Sequence, residues 1–195
     1  MEESLLIWRL NGKPQPALLC SPVGEEALLT GFLLTGMAVS SPDAIRSLAR
    51  KGDVWEAVTD GGDGFPDLAR RLKMIPGRTA ERRIPEDAAA MSVLIRNEGK
   101  ETGLHTALLF DGADVYTGRD IGRHNALDRA VGKAVMAGAT AEGAVLGMTG
   151  RISLEMVAKA AAVGICAVIT SKQTGSMAAA YAEKWGILLL DPFSL

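Results

Sequence analysis

Apolar and polar positions alternate through residues 5–20 around Asn11-Gly12-Lys13-Pro14. That pattern predicts two short strands joined at the turn, because Asn-Gly supplies the positive φ a tight hairpin requires. The stretch GEEALLTGFLLTGMAVS (24–40) then repeats its leucines on one face and carries acids in its first turn, which predicts a helix. A second helix is expected over SPDAIRSLARKG (41–52), with Ser41 as N-cap, Pro42 at the first helical position and Gly52 as its stop. DVWEAV (53–58) reads as a strand and TDGGDGFP (59–66) as a loop, while Leu68–Arg83 shows no clear period.

Beyond Pro85 the pattern becomes regular. It predicts a helix over Glu86–Asn97, a strand LHTALLF (104–110), the turn DGAD and a partner strand around VYT (115–117). Helices at 122–138, 152–163 and 175–185 then alternate with the apolar runs GAVLGMT, GICAVIT and GILLL. Strands alternating with helices imply parallel pairing, and continuous apolar runs imply strands covered on both faces. The expected fold class is α/β: a layered sheet with helices on both faces over residues 85–195, and a smaller α+β domain over residues 1–84.

Composition narrows the function classes. The 195-residue chain is 48% hydrophobic and 23% charged with a formal net charge of −2, so bulk charge gives no reason to expect nucleic-acid binding. The start MEESLLIWRLNGKPQP has acids where a signal peptide has bases, and no apolar run is long enough for a membrane span, so a cytoplasmic protein is expected. The two cysteines, Cys20 and Cys166, belong to no C-x-x-C pair and no zinc-ligand spacing, which fits a reducing compartment and predicts no bound metal. Cys20, in LLCSPVGEE before a helix, is the better thiol candidate. Cys166 is expected to be inert packing in a buried strand.

In an open α/β sheet, functional groups collect where strands end and helices begin. Four clusters fall at such junctions: ETGLHTA, with Thr102, Gly103 and His105; RDIGRHNALD, with Asp120, Arg123, His124, Asn125 and Asp128; TGRISLEMVAKA, with Gly150, Arg151, Ser153, Glu155 and Lys159; and TSKQTGS, with Thr170, Ser171, Thr174 and Ser176. Bland readings exist for each. Glu155 and Lys159 have the spacing of an exposed helix pair, Asp128 could orient a structural His124, Asp120 and Ser153 could be plain helix caps, and His105 could be a buried imidazole. Against these stands convergence. Two histidines, two arginines and two hydroxyl-rich turns on one sheet edge suit an anionic, nucleotide-like ligand, since Arg pairs bidentately with phosphate and helix N-termini add donors. The chain has neither the ligand set of a zinc deaminase, nor a nucleophile elbow, nor a phosphate-binding G-x-x-x-x-G-K-[ST] loop.

At LLCSPVGEEALLTGFLLTG, ETGLHTALLFDG, RDIGRHNALDRAVG, TGRISLEMVAKAAAVGI and TSKQTGSMAAAYAEKWGILLL the chain resembles the FdhD family of formate dehydrogenase accessory proteins. The resemblance implies a cytidine-deaminase-like domain without deaminase chemistry, a homodimer, and sulfurtransferase activity. In such a relay, sulfur is taken from a cysteine desulfurase on a C-x-x-C loop and passed to the molybdopterin guanine dinucleotide cofactor of formate dehydrogenase or another molybdoenzyme. It further implies that Thr102, Gly103, His105, Arg123, His124, Asn125, Asp128, Gly150, Arg151, Ser153, Ser171 and Thr174 line the site for that cofactor or a guanine nucleotide. The pattern also departs from the family. Where the SCGxCG loop belongs, GRTAERRIPEDAAA has no cysteine; TGLH is one residue shorter than TGGxH; and no GFxR segment follows the last strand. Two further readings therefore stay open: a degenerate paralogue acting as chaperone or partner without sulfur transfer, and an independent enzyme with His105 or His124 as general base.

Overall fold

The computed structural model describes residues 2–77, 88–98 and 103–193. Strands β1 (Ser4–Leu10) and β2 (Lys13–Pro14) form the expected hairpin, with Asn11 at φ 49° and Gly12 at φ 79° in the turn, and β3 (Leu18–Cys20) pairs with the first half of β1. Helix α1 (Glu25–Thr35) lies on this sheet, where its Leu28, Leu29 and Leu33 bury against Leu6, Trp8 and Leu10. The expected helix at 41–52 does not form. Ser41 and Pro42 start only a single 3-10 turn (Pro42–Ala44), and the chain continues as strand β4 (Ile45–Lys51), antiparallel to β5 (Val54–Thr59) across a turn at Gly52, φ 62°. Local helix propensity is worth tenths of a kcal/mol per residue, and the ladder to β5 outweighs it. The sheet order is β2-β1-β5-β4, with β1 and β5 parallel.

Helix α2 (Leu68–Met74) fills the segment without a clear period; Asp67 caps it, its Oδ1 accepting from the Arg70 amide at 2.8 Å. Helix α3 (Ala88–Asn97) follows, while the domain boundary expected at 84/85, the start of the expected helix at Glu86 and most of the segment replacing the C-x-x-C loop lie outside the described residues.

The second sheet is ordered β10-β9-β8-β6-β7: β6 (His105–Phe110), β7 (Val115–Asp120), β8 (Val145–Met148), β9 (Ala167–Ile169) and β10 (Leu188–Leu190). The last three strands are parallel, as the alternation requires, and β6 runs antiparallel to both neighbours. Helices α4 (Arg123–Met136), α5 (Leu154–Ala162) and α6 (Ser176–Lys184) cover one face through Ala107, Leu109, Leu146 and Val168; α3 covers the other through Met91, Ile95, Leu108 and Val145. The α/β layering with helices on both faces holds.

Helix α1 of the first sheet packs directly on α4 of the second. The contact is close because two glycines face it: a Cβ at Gly31 would fall on the Asp128 carbonyl, and one at Gly132 on the Ala27 carbonyl. Backbone atoms cannot yield as side-chain tips do. We expect Gly132→Ala to force the helices apart and to lose about 1–3 kcal/mol in denaturant unfolding; an unchanged midpoint would show that the crossing relaxes freely.

Candidate functional site

The register of the second sheet brings the sequence clusters to one edge. His105 opens β6 directly opposite Asp120, the last residue of β7, and β8, β9 and β10 end beside them at Met148, Ile169 and Leu190. This is the carboxyl edge of the parallel strands, where α4 starts at once with Arg123, His124 and Asn125. Gly150 sits between two clusters: a Cβ there would lie 3.1 Å from Arg123 Cβ and 3.3 Å from His105 Nδ1. Only a residue without a side chain lets the arginine and the imidazole approach across it. Arg123 Nε is buried and has no hydrogen-bond partner among the described residues. Such a donor costs about 1–3 kcal/mol unless something accepts from it.

His124, the next residue on α4, is half-buried, its Nε2 3.5 Å from Ser153 Oγ and 3.7 Å from Glu155 Oε2. Its proximity to Glu155 suggests an ion pair, but the protonation balance opposes one. Burial, with Arg123 and Lys159 adding to it, lowers the imidazole's pKa against the pull of Glu155 and Asp128. We therefore read His124 as neutral at pH 7. His105 is lowered in the same way, by burial first and the Arg123 charge second. Burial alone would raise Glu155; a hydrogen bond from Arg71 Nη2 at 3.1 Å, with the Lys159 and Arg71 charges nearby, reverses that and keeps it a carboxylate.

Two buried ion pairs hold this edge in place, and both correct sequence expectations. Asp120 is not a helix cap: Gly122 occupies the N-cap of α4, without a side-chain cap bond. Fully buried, Asp120 accepts from Arg129 Nε at 2.8 Å, Asn125 Nδ2 at 3.0 Å and the amides of Ser21 and Gly122 at 3.1 and 2.9 Å. Arg129 also donates to the carbonyls of Ser21 and Val23, which ties the loop before α1 to α4. Lys159, expected in an exposed pair with Glu155, is 2% exposed. Its Nζ donates to Asp128 Oδ2 at 2.7 Å, Asp128 Oδ1 at 2.8 Å and Thr35 Oγ1 at 3.1 Å. Asp128 therefore serves Lys159 and Thr35 rather than orienting His124, and it points into the α1–α4–α5 interface instead of lining the edge. The glutamate of the supposed pair turns to Arg71 instead. Ser153 stands at the N-cap of α5, but its hydroxyl makes no cap bond and faces His124.

The fourth cluster joins the third through backbone and hydroxyl contacts. Thr170 Oγ1 donates to the Gly150 carbonyl at 3.0 Å, and Thr174 bridges Ile152. Ser171 and Thr174 line a cleft of about 220 Å³ with Lys172 and Asp191. Arg151 is exposed, Gly103 forms an exposed turn at φ 65°, and Thr102 lies outside the described residues. The edge is an open wall. A larger cleft, about 680 Å³, opens at the opposite end of the helices, away from this chemistry.

Cys20 lies beside the edge, since the Ser21 amide donates to Asp120 and the Leu19 carbonyl accepts from Asn125 Nδ2, but its own thiol is buried. Cys20 ends β3, is fully buried, and burial raises its thiol pKa despite Arg129 nearby; Gly24, not Cys20, adjoins α1 as its N-cap. Cys166 precedes β9 rather than lying within a buried strand; it is half-buried and its thiol contacts the Gly143 carbonyl at 3.0 Å, at the amino end of the sheet.

Sequence reasoning missed Arg71, Arg129 and Thr35. Arg71 and Thr35 sit on other helices, 84 positions from Glu155 and 93 from Asp128, so no local spacing could mark them. Arg129 lies nine residues after its partner Asp120, across the strand-to-helix turn.

A family model described as the FdhD/NarQ family matches residues 78–191. The protein named sulfur carrier protein FdhD in Staphylococcus aureus (strain MRSA252) is 30% identical over 205 residues, covering 91% of this chain and 77% of its own; the same protein in strain JH9 gives the same figures. A crystal structure titled as a putative formate dehydrogenase accessory protein from Desulfotalea psychrophila superposes with a TM-score of 0.80 at 23% identity, over 96% of this chain and 81% of that one. With most of its length matched and the fold shared, the chain belongs to the FdhD/NarQ family.

Proposed function

We propose that this chain is an accessory protein of formate dehydrogenase maturation whose carboxyl edge holds the phosphates of its cargo, the molybdopterin guanine dinucleotide cofactor, before delivery to formate dehydrogenase or another molybdoenzyme. The carrying observation is Arg123, whose buried Nε has no hydrogen-bond partner among the described residues and whose side chain meets His105 across Gly150. A diphosphate supplies an acceptor for the guanidinium. Arg151 and the hydroxyls of Ser171 and Thr174 extend the same wall.

GDP carries the guanine nucleotide end of that cargo and serves as probe. Isothermal titration is expected to give saturable binding that an Arg123→Ala, Arg151→Ala double variant weakens about tenfold to a hundredfold. Both histidines are held below their ordinary range, so both are neutral at pH 7 and gain charge as the pH falls. Binding of an anion then takes up protons, and affinity should rise as the pH falls below about 6.5, the ordinary histidine value. Equal affinity in the two proteins would remove the site.

A second reading concerns sulfur, and the cysteine environments favour it: the chain holds its cargo without carrying persulfide itself. Exchange requires an accessible thiolate. Cys20 is buried with its thiol held protonated, and Cys166 lies at the other end of the sheet. Incubation with a cysteine desulfurase and ³⁵S-labelled cysteine should leave no stable label on the protein. Label released by dithiothreitol and lost in a Cys20→Ser or Cys166→Ser variant would restore the sulfurtransferase reading, with the desulfurase as a partner.

A further inference from the structure

Residues 68, 71 and 72 of α2 share one face, because steps of three and four return to the same side of a helix. Leu68 and Leu72 pack from that face against the core of the second sheet, while Ala69, Arg70 and Lys73 stay exposed. The third member of the face is Arg71, 9% exposed. A cation on a buried face needs a carboxylate, and Glu155 of α5 supplies it: Arg71 Nη2 donates to Glu155 Oε1 at 3.1 Å. Arg71 Nε is buried and has no hydrogen-bond partner among the described residues. The guanidinium thus holds the carboxylate by one bond rather than through its two-pronged fork.

Glu155 is divided between two helices. Its other oxygen, Oε2, lies 3.7 Å from His124 Nε2, near enough to attract a proton there but beyond a hydrogen bond. A closed imidazolium–carboxylate pair needs about 2.8 Å, roughly 1 Å nearer. The remaining charged groups that face His124 are Arg123 and Asp128 of α4 and Lys159 of α5, and the last two are locked to each other at 2.7 Å. Glu155, with its side chain 44% exposed, has room to turn. Its bond to Arg71 is what holds it at the longer distance. With the carboxylate held there, burial and the Arg123 charge prevail, and the imidazole binds its proton less readily than an ordinary histidine.

We propose that Arg71 is a positioning residue of the carboxyl edge: by holding Glu155 from α2 it keeps that carboxylate from closing on His124, and so governs when the imidazole beside Arg123 becomes charged. Its effect on anion affinity rests on the reading of the edge as a phosphate site; its effect on His124 does not. The chain has two histidines, so imidazole resonances of the ¹³C,¹⁵N-labelled full chain follow both titrations in one experiment. His105 responds to burial, Arg123 and Asp120, and serves as the internal control. Arg71→Met keeps the bulk of the buried stem and removes the head; the His124 midpoint should move up as Glu155 is released to it. Arg71→Lys, which keeps the charge without the planar head, should fall between wild type and Arg71→Met. In Glu155→Gln the midpoint should move down. The Arg71→Met, Glu155→Gln double variant should match Glu155→Gln, because Arg71 acts through that carboxylate. His105 should keep its midpoint throughout, whereas a loosened fold would move both histidines. The pH below which GDP affinity rises should follow His124, upward in Arg71→Met and downward in Glu155→Gln. Shifted His124 midpoints with no GDP binding would support the role of Arg71 and remove the cargo reading alone. A His124 midpoint unmoved in both Arg71 variants, unmoved or raised in Glu155→Gln, raised in the double variant, or matched by His105 would overturn the proposal.

Discussion

Replacing Lys159 by Met is expected to cost about 3–5 kcal/mol of stability, because it leaves the Asp128 carboxylate buried without its counter-charge. Asp128 is fully buried, and both its oxygens accept from Lys159 Nζ at 2.7 and 2.8 Å; after the substitution only Thr35 Oγ1, at 2.6 Å, remains. A chain of this length loses about 2–4 °C of melting temperature per kcal/mol, so a fall of roughly 6–20 °C should be measurable. Removing both charges, in an Asp128→Leu, Lys159→Met double variant, should recover most of the loss, since a buried pair replaced by apolar residues is often neutral. A single-variant loss below about 1 kcal/mol would mean that water reaches the carboxylate. The pair's place gives the result functional weight. It locks α5 to α1 and α4, and α5 carries Ser153 and Glu155 to His124.

The second large effect is expected at Asp120. Truncation to Ala strands the Arg129 guanidinium, 3% exposed at the side chain, and frees three further donors, from Ser21, Gly122 and Asn125. A loss of about 3–5 kcal/mol is expected, and hydrogen exchange gives it a local signature. The amides of Ser21 and Gly122 donate to this carboxylate and should lose protection before the rest of α4 does. Retained protection at both would show that the carboxylate is not their anchor. Because Gly122 and Asn125 flank Arg123 and His124, GDP binding should fall in parallel with the loss of order.

The two ion pairs also show where sequence reading ends. Asp120, Arg123, His124, Asn125 and Asp128 were conspicuous together in one stretch, but that stretch serves three directions. Arg123 and His124 face the edge, Asp120 turns under the helix to Arg129, and Asp128 turns to Lys159. Helical spacing fixes which residues share a face; it does not say what packs against that face. The Glu155–Lys159 spacing is a clear case. It marks neighbours on a helix surface, but α1 covers one of them, and a lysine under a neighbouring helix needs a buried carboxylate rather than an exposed glutamate. The stretch 41–52 failed for a related reason: its capping signals were real and gave one 3-10 turn, and the unpaired edge of β5 claimed the rest as a strand.

Local patterns by themselves determined the elements beyond Pro85, the hairpin at Asn11-Gly12, and the gathering of four polar clusters at strand-to-helix junctions. These depend on side-chain period, on turn residues and on the direction of parallel strands, all written within a dozen residues of one another. The motifs carried the family as well. Only the tertiary structure decided which charges are buried, that both histidines are neutral, that the Cys20 thiol is buried, and that Arg71, Thr35 and Ser21 take part. Burial and the electrostatics that follow from it are set by residues up to about a hundred positions apart, for example Ser21 against Asp120 at a separation of 99. No periodicity along one chain encodes that separation.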